Sequence, residues 1–156
     1  MKTFIALSFL LAVACAALAQ KLDPNATLTQ VTIQFTTPRD LDDSDVSADV
    51  SLTIGLPPVT VARSTFVLRP GRSNDLALAL SQGKKITRKE LSDAVLFIRF
   101  LPPKGPGRDR WIFDYKVRLG FSDGRWAYDD RMEKVLLDRD RPVESDNVGA
   151  GLKGVR

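Results

Sequence analysis

The segment from Trp111 to Phe121 constrains the fold more than any other stretch of the chain. Its apolar residues occupy every second position, and charged residues take most of the positions between them. A helix would scatter these aromatic side chains around its circumference, whereas a strand places alternate residues on one face. The segment is therefore predicted to be a β-strand that turns Trp111 and Tyr115 toward the core.

The same period of two recurs along most of the chain. Residues 31–36 and 46–54 alternate as half-buried strands do, and residues 94–101 are the nearly continuous apolar run of a central strand. Asp123-Gly124 is a dipeptide typical of tight hairpin turns. Short strands with turns at regular spacing predict an all-β fold, an antiparallel β-sandwich of about seven or eight strands.

Several segments predict local structure less sharply. Residues 75–81 suit a strand or a helical turn, and residues 57–71 suit one bent strand or two short ones. Residues 87–94 predict the one helix, with Thr87 as N-cap and Glu90 completing a capping box. The folded domain is expected to span residues 20–141, followed by a flexible Gly-rich tail at 142–156.

The first residues have the pattern of a secretory signal peptide. Lys2 precedes an apolar run at 4–14, and an A-x-A cleavage site occupies 17–19, so residues 1–19 are expected to be removed before Gln20. Roughly 20 apolar residues are needed to span a bilayer, and this shorter run ends in a cleavage signal. We therefore expect a secreted, extracellular protein without a transmembrane segment.

Cys15 offers an alternative end for this leader. A bacterial lipoprotein would be cut just before a cysteine and acylated on it, a signal that normally has Leu about three positions upstream. Ala12 holds that position here. Simple secretion is therefore preferred over lipidation.

Composition excludes whole classes of chemistry. The chain has no histidine, and its one cysteine would leave with the signal peptide. The mature chain would thus lack Ser-His-Asp and Cys-His machinery, thiolate or imidazole zinc sites, and disulfides. Its 137 residues would carry 22 lysines and arginines against 19 acids, too mild and interspersed an excess for a nucleic-acid surface. Chemistry based on oxygen ligands or carboxylates remains.

An acidic segment at residues 36–49 is the strongest candidate for metal binding. Its residues 37–45 join two predicted strands, so they should form a loop at one end of the sandwich. Calcium takes six to eight oxygen ligands, and neighbouring carboxylates on a loop can supply several. Alternatively, aspartates favour turns because their side chains accept hydrogen bonds from local backbone N–H groups. The candidate calcium ligands are Asp40, Asp42, Asp43 and Asp45; Asp49 follows, and Asp123, Asp129 and Asp130 join them if the topology brings their turn alongside.

Two further features predict contact with carbohydrate. Trp126 and Tyr128 follow the hairpin turn and are less committed to the core than Trp111, which makes them candidate ligand-binding residues that stack on sugars.

Asn25-Ala26-Thr27 is an N-x-T acceptor on the approach to the first strand. Asn25 is therefore predicted to be glycosylated if the chain is made in a eukaryotic host.

Residues 111–117, "WIFDYKV", followed by a turn and "RWAYDD", resemble the later part of PLAT (lipoxygenase-homology) domains. A C2-like sandwich with calcium in Asp-rich loops is a comparable resemblance. Either one implies a β-sandwich that contacts lipid or protein, with calcium at one end. The early strand departs from the PLAT pattern, because Asp42-Asp43-Ser44-Asp45 stands in place of Gly-Thr-Asp.

These observations predict a secreted, non-enzymatic binding module. Its loops at one end of the sandwich would contact a lipid surface, a glycan or an extracellular protein, with calcium as the candidate cofactor. A small carboxylate-dependent glycan-active enzyme is the alternative from another class, and it would need a pair of acids about 5–9.5 Å apart in a cleft. A purely structural extracellular protein is the third possibility.

Overall fold

The computed structural model describes residues 22–37, 46–68, 73–102 and 110–151. Antiparallel strands dominate this part of the chain and confirm the predicted all-β class. The eight strands are β1 (Leu28–Thr36), β2 (Val46–Ile54), β3 (Val59–Leu68), β4 (Ser73–Leu80), β5 (Val95–Leu101), β6 (Arg110–Phe121), β7 (Trp126–Asp138) and β8 (Val143–Asn147). A 3₁₀ helix (Lys89–Asp93) precedes β5, and a short α-helix, α1 (Val148–Gly151), follows β8.

The predicted signal peptide at 1–19 lies outside the described residues. Within the ranges that are described, neither helix is long and apolar enough to cross a membrane.

The strands form one curled sheet in the order β7-β6-β1-β4-β3-β2-β5-β8. β4 pairs with β1 over six positions but with β3 over only two, so the sheet bends at this junction. The bend divides it into two four-stranded halves, β7-β6-β1-β4 and β3-β2-β5-β8. The Tyr115 hydroxyl on β6 donates a hydrogen bond to the Asp146 carboxylate on β8, which links the halves across the core.

An aromatic cluster fills one end of the core. The rings of Trp111 and Phe113 stack with centroids 3.7 Å apart, and Phe35 packs at 5.2 Å from Trp111. Trp111 and Tyr115 are both buried, as the parity of β6 predicts. The indole Nε1–H of Trp111 donates to Thr37 Oγ1 at 3.4 Å, which gives the buried polar atom a partner.

A β-bulge explains why the third strand was ambiguous in sequence. Leu52 pairs with Ala62 and Thr53 pairs with Thr60, so Val61 is an extra residue on β3. Val61 and Ala62 are consecutive and both buried. The alternation therefore changes parity in the middle of a single strand. Residues 75–80, the other ambiguous segment, belong to strand β4 rather than to a helical turn.

The sheet continues beyond the predicted domain boundary at residue 141. Residues 143–147 form β8, which pairs with β5 at five positions, although the sequence predicted a flexible tail there. Val148 is fully buried, and the backbone N–H of Gly149 donates to the carbonyl of Ala94 at 3.0 Å. The strand is mostly polar because it lies at the sheet edge, and its one buried side chain, Asp146, is held by Tyr115. Hydrophobic periodicity therefore carries no signal for it.

The predicted helix is present only as the 3₁₀ helix, and its capping box is only half formed. The Glu90 carboxylate accepts hydrogen bonds from the Thr87 backbone N–H at 2.8 Å and from the Thr87 hydroxyl at 2.9 Å. These two bonds lower the pKa of Glu90 below its ordinary value. Thr87 does not cap the helix in return; Arg88 is the N-cap and makes no side-chain capping bond.

Candidate binding groove on the outer face of the sheet

The predicted calcium ligands fall outside the residues that the structure describes, so the calcium prediction stays a prediction. They are Asp40, Asp42, Asp43 and Asp45. Asp49 is described, and its carboxylate accepts hydrogen bonds at 3.0 and 2.7 Å from Arg63 on the neighbouring strand. These bonds lower the pKa of Asp49. Within the described ranges, no group of three or more His, Cys, Asp or Glu side chains is placed to hold a metal ion.

The β6–β7 turn lies at the end of β1 opposite Thr36. Leu28 pairs with Phe121, the residue before the turn, whereas Thr36 pairs with Asp114. A nine-residue strand separates the two ends by roughly 25 Å. Asp123 in the turn is bound by Arg88 at 3.0 Å, and Asp129 is buried on the inner face of β7. The Asp130 side chain is not among those described.

The predicted aromatic pair lies on the outer face of the sheet. Trp126 and Tyr128 are alternate residues of β7, and 40% and 36% of their respective surfaces are exposed. They line an open groove of about 640 Å³ that runs over β7, β6 and β1. The other described lining residues are polar or charged: Gln30, Thr32, Lys116 and Arg118.

Two cross-strand rows build the groove. One consists of Gln30, Gly120 and Trp126, and the next of Thr32, Arg118 and Tyr128. Side chains in one row have Cβ atoms about 5 Å apart, and alternate residues of one strand are about 7 Å apart. The lining side chains therefore project from three paired strands rather than from loops, so the sheet holds their spacing.

Gly120 makes room for the Trp126 indole. A Cβ built on Gly120 would lie 3.2 Å from both Cη2 and Cζ3 of the indole and 3.4 Å from Cβ of Gln30. The distal edge of the indole therefore reaches over β6 toward β1 instead of standing away from the sheet. Sequence reasoning missed Gly120. The signal was present, because a glycine interrupts the polar positions of β6 directly before the hairpin that leads to Trp126.

The polar side chains of the groove differ in how far they are already engaged. The Gln30 amide donates to Thr32 Oγ1 at 3.1 Å, and beyond the groove Gln34 donates to Asp75 at 2.7 Å. Lys116 already has an interaction partner within the protein. Arg118 is exposed and, among the described residues, makes no hydrogen bond or ion pair.

Asn25 lies three residues before Leu28, the first residue of β1. Its side chain is exposed, as attachment of a glycan requires, and its backbone N–H donates to Asp23 Oδ1 at 2.8 Å. Modification of Asn25 stays a prediction.

The β2–β3 turn carries a second exposed feature. Leu56 at its tip is 97% exposed, and Val59 at the start of β3 is 45% exposed. Lys84 and Lys89 line the same depression beside the turn together with the acidic Glu90 and Asp93, and Lys84 pairs with Glu90 at 3.9 Å. The exposed apolar tip is a candidate contact for a lipid surface.

Comparisons with protein-family models, with curated proteins and with solved structures gave no match. The resemblance to PLAT and C2-like domains therefore stays a prediction, and function is inferred from the surface of the sheet itself.

Proposed function

We propose that this protein is a secreted, non-catalytic module that binds a glycan in the outer groove of β1, β6 and β7. The observation that carries this proposal is the placement of Trp126 and Tyr128 side by side on the sheet, with large exposed fractions and polar neighbours. Aromatic rings can pack against the apolar C–H faces of sugar rings, while amide, hydroxyl and guanidinium groups bond their hydroxyls.

The contrast between the two tryptophans supports a ligand-binding role. Trp111 is 1% exposed and belongs to the core, whereas Trp126, on the adjacent edge strand β7, is 40% exposed. A large aromatic side chain left in water forgoes the stability that its burial would contribute, roughly 25 cal/mol per Å² of apolar surface. Exposed aromatics that line a concave surface are typical of sites that become covered by a partner.

The surroundings of the aromatic pair favour a glycan over a protein partner. The centre of a protein–protein interface is depleted in charge, and its aromatic residues are surrounded by further apolar side chains. Here Gln30, Thr32 and Arg118 surround the rings instead. Their hydrogen-bonding groups suit a ligand that is dense in hydroxyl groups.

The lining also supports binding over hydrolysis. Glycoside hydrolysis uses two carboxyl groups about 5–9.5 Å apart, on either side of the scissile bond. None of the six described residues that line the groove carries a carboxyl group. The described lining residues offer binding contacts: two aromatic faces, an amide, a hydroxyl and two cations.

Titration calorimetry of the mature chain, starting at Gln20, against a panel of soluble polysaccharides tests the proposal. We expect at least one polysaccharide to bind, and Trp126→Ala and Tyr128→Ala each to weaken its binding at least tenfold, equivalent to about 1.4 kcal/mol. Leu136→Ala is the matched control, because Leu136 is an equally exposed apolar residue of β7 outside the groove. Absence of binding across the panel, or wild-type affinity in both aromatic variants, would overturn the proposal.

A lipid surface is a second candidate ligand, favoured by the exposure of Leu56. The turn would insert its apolar tip into the boundary between headgroups and acyl chains. Co-sedimentation with vesicles that contain phosphatidylserine tests this function. Leu56→Gln should abolish sedimentation and Trp126→Ala should leave it unchanged; wild-type protein that stays in the supernatant would exclude it.

A further inference from the structure

We infer that the groove selects acidic glycans, with Arg118 binding a carboxylate carried by a sugar ring. This inference rests on the proposed function, because it presupposes a glycan stacked on Trp126 and Tyr128. It adds the chemical class of the glycan and the residue that recognises it.

Arg118 has the right place in the sheet for this contact. It lies on β6 between Thr32 of β1 and Tyr128 of β7, directly opposite both in register. Trp126 is its diagonal neighbour, and diagonal pairs on a sheet face lie within reach of long side chains. A carboxylate on a sugar that is stacked on either ring would therefore lie within reach of the guanidinium group.

The hydrogen-bonding capacity of Arg118 is uncommitted, in contrast to that of other arginines. Arg63 holds the Asp49 carboxylate, and Arg88 holds that of Asp123. Arg118 has no such partner among the described residues, although it is exposed in a groove beside two aromatic side chains. A guanidinium presents a planar fork of donors that matches a carboxylate with two parallel hydrogen bonds. The geometry therefore offers a carboxylate a bidentate partner.

The electrostatics of the groove point the same way. Lys116, whose partner in register on β7 is Asp130, adds a second positive charge, and none of the described lining side chains is acidic. Since Lys116 already makes an interaction within the protein, the direct contact is assigned to Arg118 and a general attraction to Lys116. Asp75, near the edge of this surface, is bonded by Gln34 at 2.7 Å. Charge in a groove raises the association rate of an oppositely charged ligand.

Matched pairs of polysaccharides test the inference. Polygalacturonate, alginate and hyaluronate are each titrated beside their carboxyl-reduced forms, which keep the sugar chain but replace each carboxylate by an alcohol. We expect the wild-type mature chain to bind at least one acidic polymer at least tenfold more tightly than its reduced form. Arg118→Gln should bind the two forms alike, and Arg118→Lys should fall between because it keeps the charge but loses the planar fork.

A matched control separates specific recognition from diffuse attraction. Arg99 is an exposed arginine on β5, in the other half of the sheet, so Arg99→Gln removes the same charge away from the groove. Arg99→Gln should keep the preference for the acidic polymer. Equal losses in Arg99→Gln and Arg118→Gln would overturn the inference, because net charge alone would then explain the preference.

The remaining outcomes separate this inference from the proposed function. Equal binding of acidic and reduced polymers by the wild type, with no effect of Arg118→Gln and a loss in Trp126→Ala, overturns the inference and leaves the glycan-binding function standing. No binding of either form, or of any neutral polysaccharide in the wider panel, overturns both. Melting curves of each variant confirm that the losses do not come from unfolding.

Discussion

The distal edge of the Trp126 indole lies against Gly120, close enough that a Cβ on the glycine would sit 3.2 Å from two of the ring carbons. The two residues are paired across β6 and β7. The missing side chain lets the indole lie toward β1, where Gln30 completes the row. The orientation of the exposed Trp126 indole thus depends on a residue that contributes no side chain to the groove.

Gly120→Ala tests this relationship. The added methyl group would approach the indole more closely than an ordinary van der Waals contact. It should displace the exposed indole by a few tenths of an ångström, which we expect to weaken glycan binding several-fold. Stability should change little, because alanine costs about 0.5–1 kcal/mol less than glycine in a strand and offsets the crowding. Calorimetry gives the affinity, and acrylamide quenching reports on Trp126 because Trp111 is buried. Unchanged affinity together with unchanged quenching would contradict the role of Gly120.

Trp111→Ala and Trp126→Ala should differ in their effect on stability. Truncation of a buried tryptophan costs about 3–5 kcal/mol, a large share of a typical 5–15 kcal/mol total. Trp111 packs against Phe35 and Phe113 in the core, whereas Trp126 is 40% exposed. Truncation of Trp126 should therefore lower the free energy of unfolding by only about 1 kcal/mol or less. Denaturant unfolding monitored by circular dichroism measures both values. Equal midpoints for the two variants would show that the assignment of core and surface is wrong.

Acid should destabilise the protein through the β6–β7 turn. Partial burial disfavours the charged form of Asp123, but the backbone N–H of Arg125 and the guanidinium of Arg88 outweigh it and lower the pKa of that carboxyl below the ordinary 3.8. The guanidinium of Arg88 also lies 4.2 Å from the Phe121 ring centroid. A carboxyl with a lowered folded-state pKa stabilises the fold above its unfolded-state pKa, and this contribution is lost as the pH falls through the folded-state value.

The melting temperature of the wild type should therefore fall as the pH drops below about 4, since Asp49 has a lowered pKa as well. In Asp123→Asn the melting temperature at pH 7 should be lower and the fall between pH 4 and pH 3 shallower. Calorimetric scans across this range measure both effects. A pH dependence identical to that of the wild type would contradict a stabilising role for the Arg88–Asp123 pair.

Calcium should raise the melting temperature only slightly. Extracellular sites built from flexible loops bind calcium with dissociation constants around 10⁻⁴–10⁻³ M. At roughly ten times such a constant, binding stabilises the folded state by about 1.4 kcal/mol, a shift of a few degrees. The shift should disappear in the double variant Asp42→Asn, Asp45→Asn. If calcium has no effect on the wild type and those substitutions raise its melting temperature, the acidic segment is a solvated loop whose charges repel each other.

Much of the fold follows from local pattern. The parity of β6 places Trp111 and Tyr115 inside, and Asp123-Gly124 forms the predicted hairpin turn, because alternation and turn chemistry act between residues that are close in the chain. The period is clear wherever one face of a strand is buried and the other is wet. It gives no signal at β8, an edge strand with one buried side chain, and it misleads at the Val61 bulge.

The groove itself was decided by tertiary structure. The sequence determined that Trp126 and Tyr128 lie on one face of a strand just past a turn, but not which strands lie beside it. Pairing of β1 with β6 brings Gln30 and Thr32 to the same surface as Arg118, which follows Thr32 by 86 positions in the chain. Strand order and register between distant segments depend on how two half-sheets share one core, and that packing is a property of the whole chain rather than of any window of it.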